Sequence, residues 1–152
     1  MKNQKGITLI ALVITIIVLL ILAGITIAML TGDNGLLTKA SDASVQNSIG
    51  AAKDKVAVLA ADAVADYYED TYVGTTASAP YSDEGVNQAV HTAITSGMTV
   101  ADGVTATWDA TNTNEIKLTY TKTGQYVTAT LVKGAFTNWS AVTAPAANNN
   151  NG

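Results

Sequence analysis

An unbroken apolar block stands near the start of the chain. Residues 7–30 are apolar apart from three threonines and one glycine, and residues 6–32 carry no charged side chain. As a helix, 24 such residues span roughly 36 Å at ~1.5 Å per residue, and the hydrocarbon core of a bilayer is ~30 Å thick. The threonine hydroxyls can bond to the preceding helical turn, which makes them tolerable in lipid. The pattern predicts a membrane-spanning helix over residues 7–31.

A helix break and a second helix follow the apolar block. The segment from Thr31 to Gly35 holds two glycines and an Asp-Asn pair, so we expect a break at residues 32–35 that depends on Gly32 and Gly35. Residues 36–72 then repeat apolar positions at spacings of three and four, which predicts an amphipathic helix with one buried stripe. The members of that stripe are Val45, Ile49, Ala52, Val56, Leu59, Ala63 and Tyr67.

The rest of the chain alternates in a way that is typical of a small sheet. We expect a loop over residues 73–82, a three-stranded antiparallel meander after it, and a low-complexity tail over residues 144–152. One face of the meander is apolar and needs a helix to cover it, and helix 36–72 is the candidate. This predicts an α+β domain over residues 36–143. Its elements are a short helix over 83–96, with Val86, Val90, Ala93 and Ile94 inside, and strands at about 104–108, 115–121 and 126–133.

Composition and charge exclude several function classes. Outside the two lysines that precede the apolar block, six lysines face twelve acidic residues and there is no arginine, so we expect no nucleic-acid partner. The chain has no cysteine, which excludes disulfides and thiolate metal sites. Its single histidine, His91, cannot form a two-histidine metal motif, and no phosphate-binding loop is present. We therefore expect no enzyme activity, no cofactor and no metal.

Three kinds of N-terminal segment contain such a block. A cleaved secretory signal usually has an apolar region of about 7 to 15 residues, shorter than this one. An ordinary signal anchor would tether a surface domain and stay attached. In either anchored form Lys2 and Lys5 are expected to stay in the cytoplasm, and the C-terminal part is expected outside, by the positive-inside tendency.

The junction between the basic leader and the apolar block distinguishes a third kind. The run Met1-Lys-Asn-Gln-Lys-Gly-Ile-Thr-Leu-Ile10 resembles the signal of type IV prepilins and pseudopilins. The segment from Lys5 to Gly24 looks like pilin-like proteins of clostridia-type Gram-positive bacteria. In that family a membrane peptidase cuts after the glycine and usually methylates the new N-terminus. The resemblance implies a leader over residues 1–6, with cleavage after Gly6 and N-methylation of Ile7.

One position departs from the family pattern. Pilins usually carry a glutamate at the fifth residue after the cut, and here that residue is Ala11. The resemblance still implies a pilin architecture and a structural subunit. Such a subunit starts in the cytoplasmic membrane and is then assembled with its own copies into an extracellular pilus for adhesion or motility. Prepilin peptidase and the assembly machinery would be its partners. The alternatives are a minor pseudopilin of a secretion or DNA-uptake system and a monomeric, signal-anchored binding domain.

Overall fold

The computed structural model describes residues 4–32, 35–73 and 81–145. The chain forms two compact units, Met1–Ser44 and Val45–Gly152, and the division lies within the second helix, not at the predicted break over residues 32–35. Residues 1–3 of the predicted leader, 74–80 of the predicted loop and 146–152 of the tail lie outside the described part. The helices are α1 (Gln4–Thr31), α2 (Leu36–Tyr72) and α3 (Asp83–Ala93), and the strands are β1 (Met98–Ala101), β2 (Val104–Trp108), β3 (Glu115–Tyr120), β4 (Tyr126–Val132) and β5 (Ala135–Thr137).

The strands form one antiparallel sheet in the order β1-β2-β3-β4-β5, so each strand pairs with its neighbour in sequence. Pairing places Leu118 beside Ala106 on one side and beside Val127 on the other. These three side chains are buried, as is every second residue along β3 and β4. Because strand residues alternate between faces, this period-2 burial leaves one polar, solvated face.

Helix α2 covers the apolar face of the sheet. Its buried side chains are contiguous with the sheet core, which includes Ile116 and Leu118. They repeat at spacings of three and four, so they form one stripe along the helix. The stripe predicted from sequence agrees, except that Leu59 and Tyr67 are only partly buried and that Ala60 is buried beside Leu59. The buried residues of α2 are Val45, Ile49, Ala52, Val56, Ala60 and Ala63.

The α+β, pilin-like fold predicted from sequence is therefore confirmed: a long apolar N-terminal helix, a second helix and a small antiparallel sheet. The predicted meander was too short, because β1 and β5 extend it to five strands. Strand β1 is interrupted by a register shift between Thr99 and Ala101. Strand β5 has three residues and follows a tight turn in which Lys133 and Gly134 both have positive φ. Both strands are therefore too short for a period-2 pattern to be read from sequence.

Helix α3 ends earlier than predicted, at Ala93 rather than residue 96. Ala93 is exposed, whereas Val86, Val90 and Ile94 are buried as predicted. The helix ends where Ile94 leaves helical geometry, and the Trp108 indole N–H donates to the Ile94 carbonyl at 2.5 Å. That hydrogen bond satisfies a carbonyl which the end of the helix leaves without an intrahelical partner. Strands β3 and β4 also end one residue before the predicted limits.

Candidate processing site and assembly helix

The predicted processing site lies at the beginning of α1. The helix starts at Gln4, so the backbone of Gly6 and Ile7 is already helical. The surroundings of these two side chains lie outside the described part of the structure. Cleavage after Gly6 and methylation of Ile7 therefore remain predictions from the sequence.

The surface of α1 is apolar on every side. All side chains from Thr8 to Thr31 are exposed, and nearly all of the large ones are aliphatic. A soluble monomer rarely exposes a contiguous apolar patch larger than a few hundred Å², and this surface covers the whole circumference of a helix. It is therefore a surface that needs lipid or other protein to cover it.

The hydroxyl groups of Thr15, Thr26 and Thr31 are satisfied within the helix. Thr15 donates to the carbonyl of Leu12 at 2.8 Å, and Thr26 donates to the carbonyl of Leu22 at 2.9 Å. These bonds, predicted from the sequence, leave no unpaired threonine hydroxyl at either position, which lowers the cost of placing them in lipid. Among the described residues, one helical segment, near the N-terminus, is long and apolar enough to cross a membrane, and none of its most apolar window is buried.

Ala11 occupies the position where pilins usually have glutamate. Its side chain is an exposed methyl group on α1, seven residues after the helix begins at Gln4. The first turn of α1 holds no acidic residue, and the first carboxylate of the chain is Asp33, beyond the end of the helix. The helix α1 therefore carries no carboxylate in place of the glutamate that pilins usually have.

Two glycines lie between α1 and α2. A side chain at Gly32 would come within 2.8 Å of the Ala28 carbonyl oxygen, and one at Gly35 would come within 2.6 Å of the Leu30 carbonyl oxygen. The N–H of Gly32 donates to that Ala28 carbonyl at 3.0 Å, and the Thr38 hydroxyl donates to the Gly32 carbonyl at 3.2 Å. The chain therefore passes so close to the end of α1 that a Cβ atom at either glycine would require the backbone to move.

The distal unit has a polar groove of about 550 Å³ between α3 and the turn from β2 to β3. His91 lies in it, stacked on Trp108 with ring centroids 4.0 Å apart. Its Nε2 atom is 2.8 Å from the Thr113 carbonyl oxygen, which only accepts, so Nε2 carries the hydrogen. Within the described ranges, no group of three or more His, Cys, Asp or Glu side chains is placed to hold a metal ion. The groove is lined by Asp83, Glu84, Asn87, Gln88, His91, Thr113 and Asn114.

Comparison with known families identifies the N-terminal segment. Residues 1–27 match the family model described as the prokaryotic N-terminal methylation motif. The chain carries a prepilin-type signal. No curated protein and no solved structure shows significant similarity to the chain.

The prepilin-type signal covers the leader and most of α1, the part of the chain that the sequence resemblance also covered. This motif is the prepilin-type signal of type IV pilins, and together with the apolar helix α1 it supports a membrane-anchored precursor of the pilin or pseudopilin type. Such a signal implies processing by prepilin peptidase and entry into a pilus-like assembly system. It is typical of structural subunits rather than of enzymes.

Proposed function

We propose that this protein is a structural subunit of an extracellular type IV pilus-like filament. The prepilin peptidase cuts it after Gly6, Ile7 becomes the methylated N-terminus, and α1 leaves the membrane to pack against α1 of neighbouring copies. The observation that carries the proposal is the exposure of all side chains from Thr8 to Thr31 on a helix that bears the prepilin-type signal.

The energetics support both locations for the same helix. Lipid tails and neighbouring apolar helices each remove α1 from water, and burial stabilises by ~25 cal/mol per Å² of apolar surface. Because α1 has no charge between Gly6 and Gly32, neither environment has to accept an unpaired ionised side chain. The acidic distal domain remains in solvent, where it determines adhesion or motility.

Ala11 favours one second candidate, a minor pseudopilin of a secretion or DNA-uptake system. In a filament core, an N-terminal amine without a carboxylate partner has to stay solvated or lose its charge, because burying it unpaired is costly. A short pseudopilus or a tip position requires fewer such contacts than a long homopolymer. If the unpaired amine limits assembly, we expect Ala11→Glu to increase the amount of filament sheared from cells. The abundance of the wild-type subunit in the sheared filament separates a major from a minor role.

The deciding experiment is the intact mass and N-terminal sequence of protein sheared from producing cells. We expect wild-type material to sediment as a polymer and to start at a methylated Ile7. Gly6→Val removes the small residue before the cut, so we expect it to keep Met1 and stay in the membrane fraction. Gly50→Ala in α2 is the control, since it lies outside the assembly helix, a Cβ there meets no atom within 4 Å, and alanine is a better helix former than glycine. Sheared wild-type protein that still begins at Met1 would refute the proposal.

A further inference from the structure

Three tyrosines stack at the end of α2 and the beginning of α3. Tyr68 and Tyr81 have ring centroids 5.3 Å apart and planes 14° from parallel. On the other side of the cluster, Tyr68 and Tyr72 have centroids 6.0 Å apart and planes 16° from parallel. Tyr68 is thus the shared member of both pairs. We call Tyr68, Tyr72 and Tyr81 the tyrosine stack.

The first turn of α3 holds this arrangement in place. Tyr67, the neighbour of Tyr68 in α2, packs its ring against Tyr81 with centroids 6.4 Å apart. Its hydroxyl lies over Gly85, where a Cβ atom would overlap it. The absence of a side chain at Gly85 therefore lets the end of α2 approach α3 and brings Tyr68 beside Tyr81, although twelve residues separate them in sequence.

The hydroxyl of Tyr81 has a proton acceptor beside it. It donates to Asp83 Oδ1 at 3.3 Å. The pKa of Tyr81 is raised, first by a side-chain hydrogen bond with Tyr68, then by desolvation and by nearby negative charge. The group is therefore a neutral phenol at physiological pH. When a phenol loses an electron it must also lose its proton, and the Asp83 carboxylate is positioned to accept that proton.

Small oxidants can reach both rings. The side chain of Tyr68 is 41% exposed and that of Tyr81 is 36% exposed. The chain has no cysteine, so an extracellular domain of this protein has no disulfide to close its loops. A bond between Tyr68 and Tyr81 would join the end of α2 to the start of α3 and would act on the unfolded chain as a loop-closing cross-link does.

We propose that Tyr68 and Tyr81 are a site of intramolecular dityrosine formation under a peroxidase-type oxidant. Each phenol gives up one electron and one proton, and the two phenoxyl radicals form a carbon–carbon bond between ring positions adjacent to their hydroxyls. The hydrogen on each coupled carbon then moves to its oxygen, which restores both aromatic rings. The pair loses two electrons and two protons in total, and one hydrogen peroxide takes them up to give two waters. This proposal does not depend on filament assembly.

The test uses the purified full chain at low concentration in a zwitterionic detergent, treated with a haem peroxidase and hydrogen peroxide. We expect dityrosine fluorescence in the monomeric band, a mass lower by two hydrogen atoms, and a proteolytic fragment that joins Tyr68 to Tyr81. Tyr68→Phe and Tyr81→Phe each keep a ring in the stack but should lose the product. Tyr72→Phe and Tyr126→Phe should keep it, the latter because Tyr126 lies in β4 under Lys117.

Four results would overturn the proposal. One is product that persists in Tyr81→Phe. The second is a fragment that joins Tyr68 to Tyr72, since neighbouring turns of one helix would then suffice. The third is dityrosine found only in dimers of the chain. The fourth is no dityrosine in the wild type under conditions that couple free tyrosine. Circular dichroism of each phenylalanine variant separates loss of the product from loss of the fold.

Discussion

The turn between β4 and β5 offers a sharp test of how the distal domain packs. Gly134 has φ +80°, and a Cβ atom there would overlap the side chains of Val64 in α2 and Val86 in α3. Its N–H donates to the Asn87 side-chain oxygen at 3.0 Å. The turn backbone thus fills the space between the two helices. Gly97 has nearly the same conformation, φ +86°, but nothing lies within 4 Å of a Cβ there.

The two glycines therefore separate backbone strain from packing. In Gly97→Ala, only the left-handed conformation is penalised, at about 1–2 kcal/mol of unfolding free energy. In Gly134→Ala, the same penalty applies, and the methyl group must also displace Val64 or Val86 from a close-packed position. Overpacking of this kind costs about 1–3 kcal/mol more. We expect Gly134→Ala to be the less stable variant by that margin, and with a urea m-value of ~2 kcal/mol per M its midpoint should be lower by roughly 1 M.

Tryptophan fluorescence during urea unfolding measures this difference in the full chain. Both tryptophans, Trp108 and Trp139, lie beside the core of the distal domain, so the signal does not report on α1 in its micelle. The control is Gly97→Ala, studied under identical conditions. Equal midpoints for the two variants would refute the reasoning, because they would mean that β5 and its turn do not pack between α2 and α3.

Three further changes test other parts of the structure. Trp108→Phe removes the donor to the Ile94 carbonyl, so we expect a loss of about 1 kcal/mol in unfolding free energy, measured by circular dichroism. The pKa of Asp109 is lowered, first by the Thr111 hydroxyl and then by backbone N–H groups. Its contribution is thus present above the ordinary pKa of aspartate and lost as pH falls through the lowered value. Asp109→Ala should therefore destabilise at neutral pH, and its effect should begin to shrink as pH falls below about 4 and vanish only below the lowered pKa. Gly35→Ala should weaken filament assembly in a shearing assay, because its Cβ would clash at the helix break.

Each of these has an outcome that contradicts it. Unchanged stability in Trp108→Phe would mean that water satisfies the end of α3. A destabilisation by Asp109→Ala that persists in acid would place its cause in the alanine side chain rather than in the lost carboxylate. Normal yields of sheared filament from Gly35→Ala, with Gly50→Ala as the control, would show that the break tolerates a side chain.

The sequence by itself determined the features that depend on local pattern. The apolar run over residues 7–30 predicted α1 and its membrane-spanning length, and the prepilin-type signal was readable from the residues around Gly6. The stripe at spacings of three and four predicted the buried face of α2, and the break before it and the loop after it predicted its bounds, Leu36 and Tyr72, because these signals act over a few turns of contiguous chain. Alternation in β3 and β4 was long enough to show which side chains are buried.

Only the tertiary structure decided the features that depend on contacts between distant residues. Strand β5 exists because β4 pairs with it across a turn that needs positive φ at Lys133 and Gly134. Helix α3 stops at Ala93 because the indole N–H of Trp108, fourteen residues beyond Ile94, donates a hydrogen bond to the Ile94 carbonyl and caps the helix. The pairing of Tyr68 with Tyr81 likewise had no signal in the spacing of the tyrosines. It follows from the short distance between the end of α2 and the start of α3. That distance depends on side-chain packing between distant parts of the chain, which a local sequence pattern does not describe.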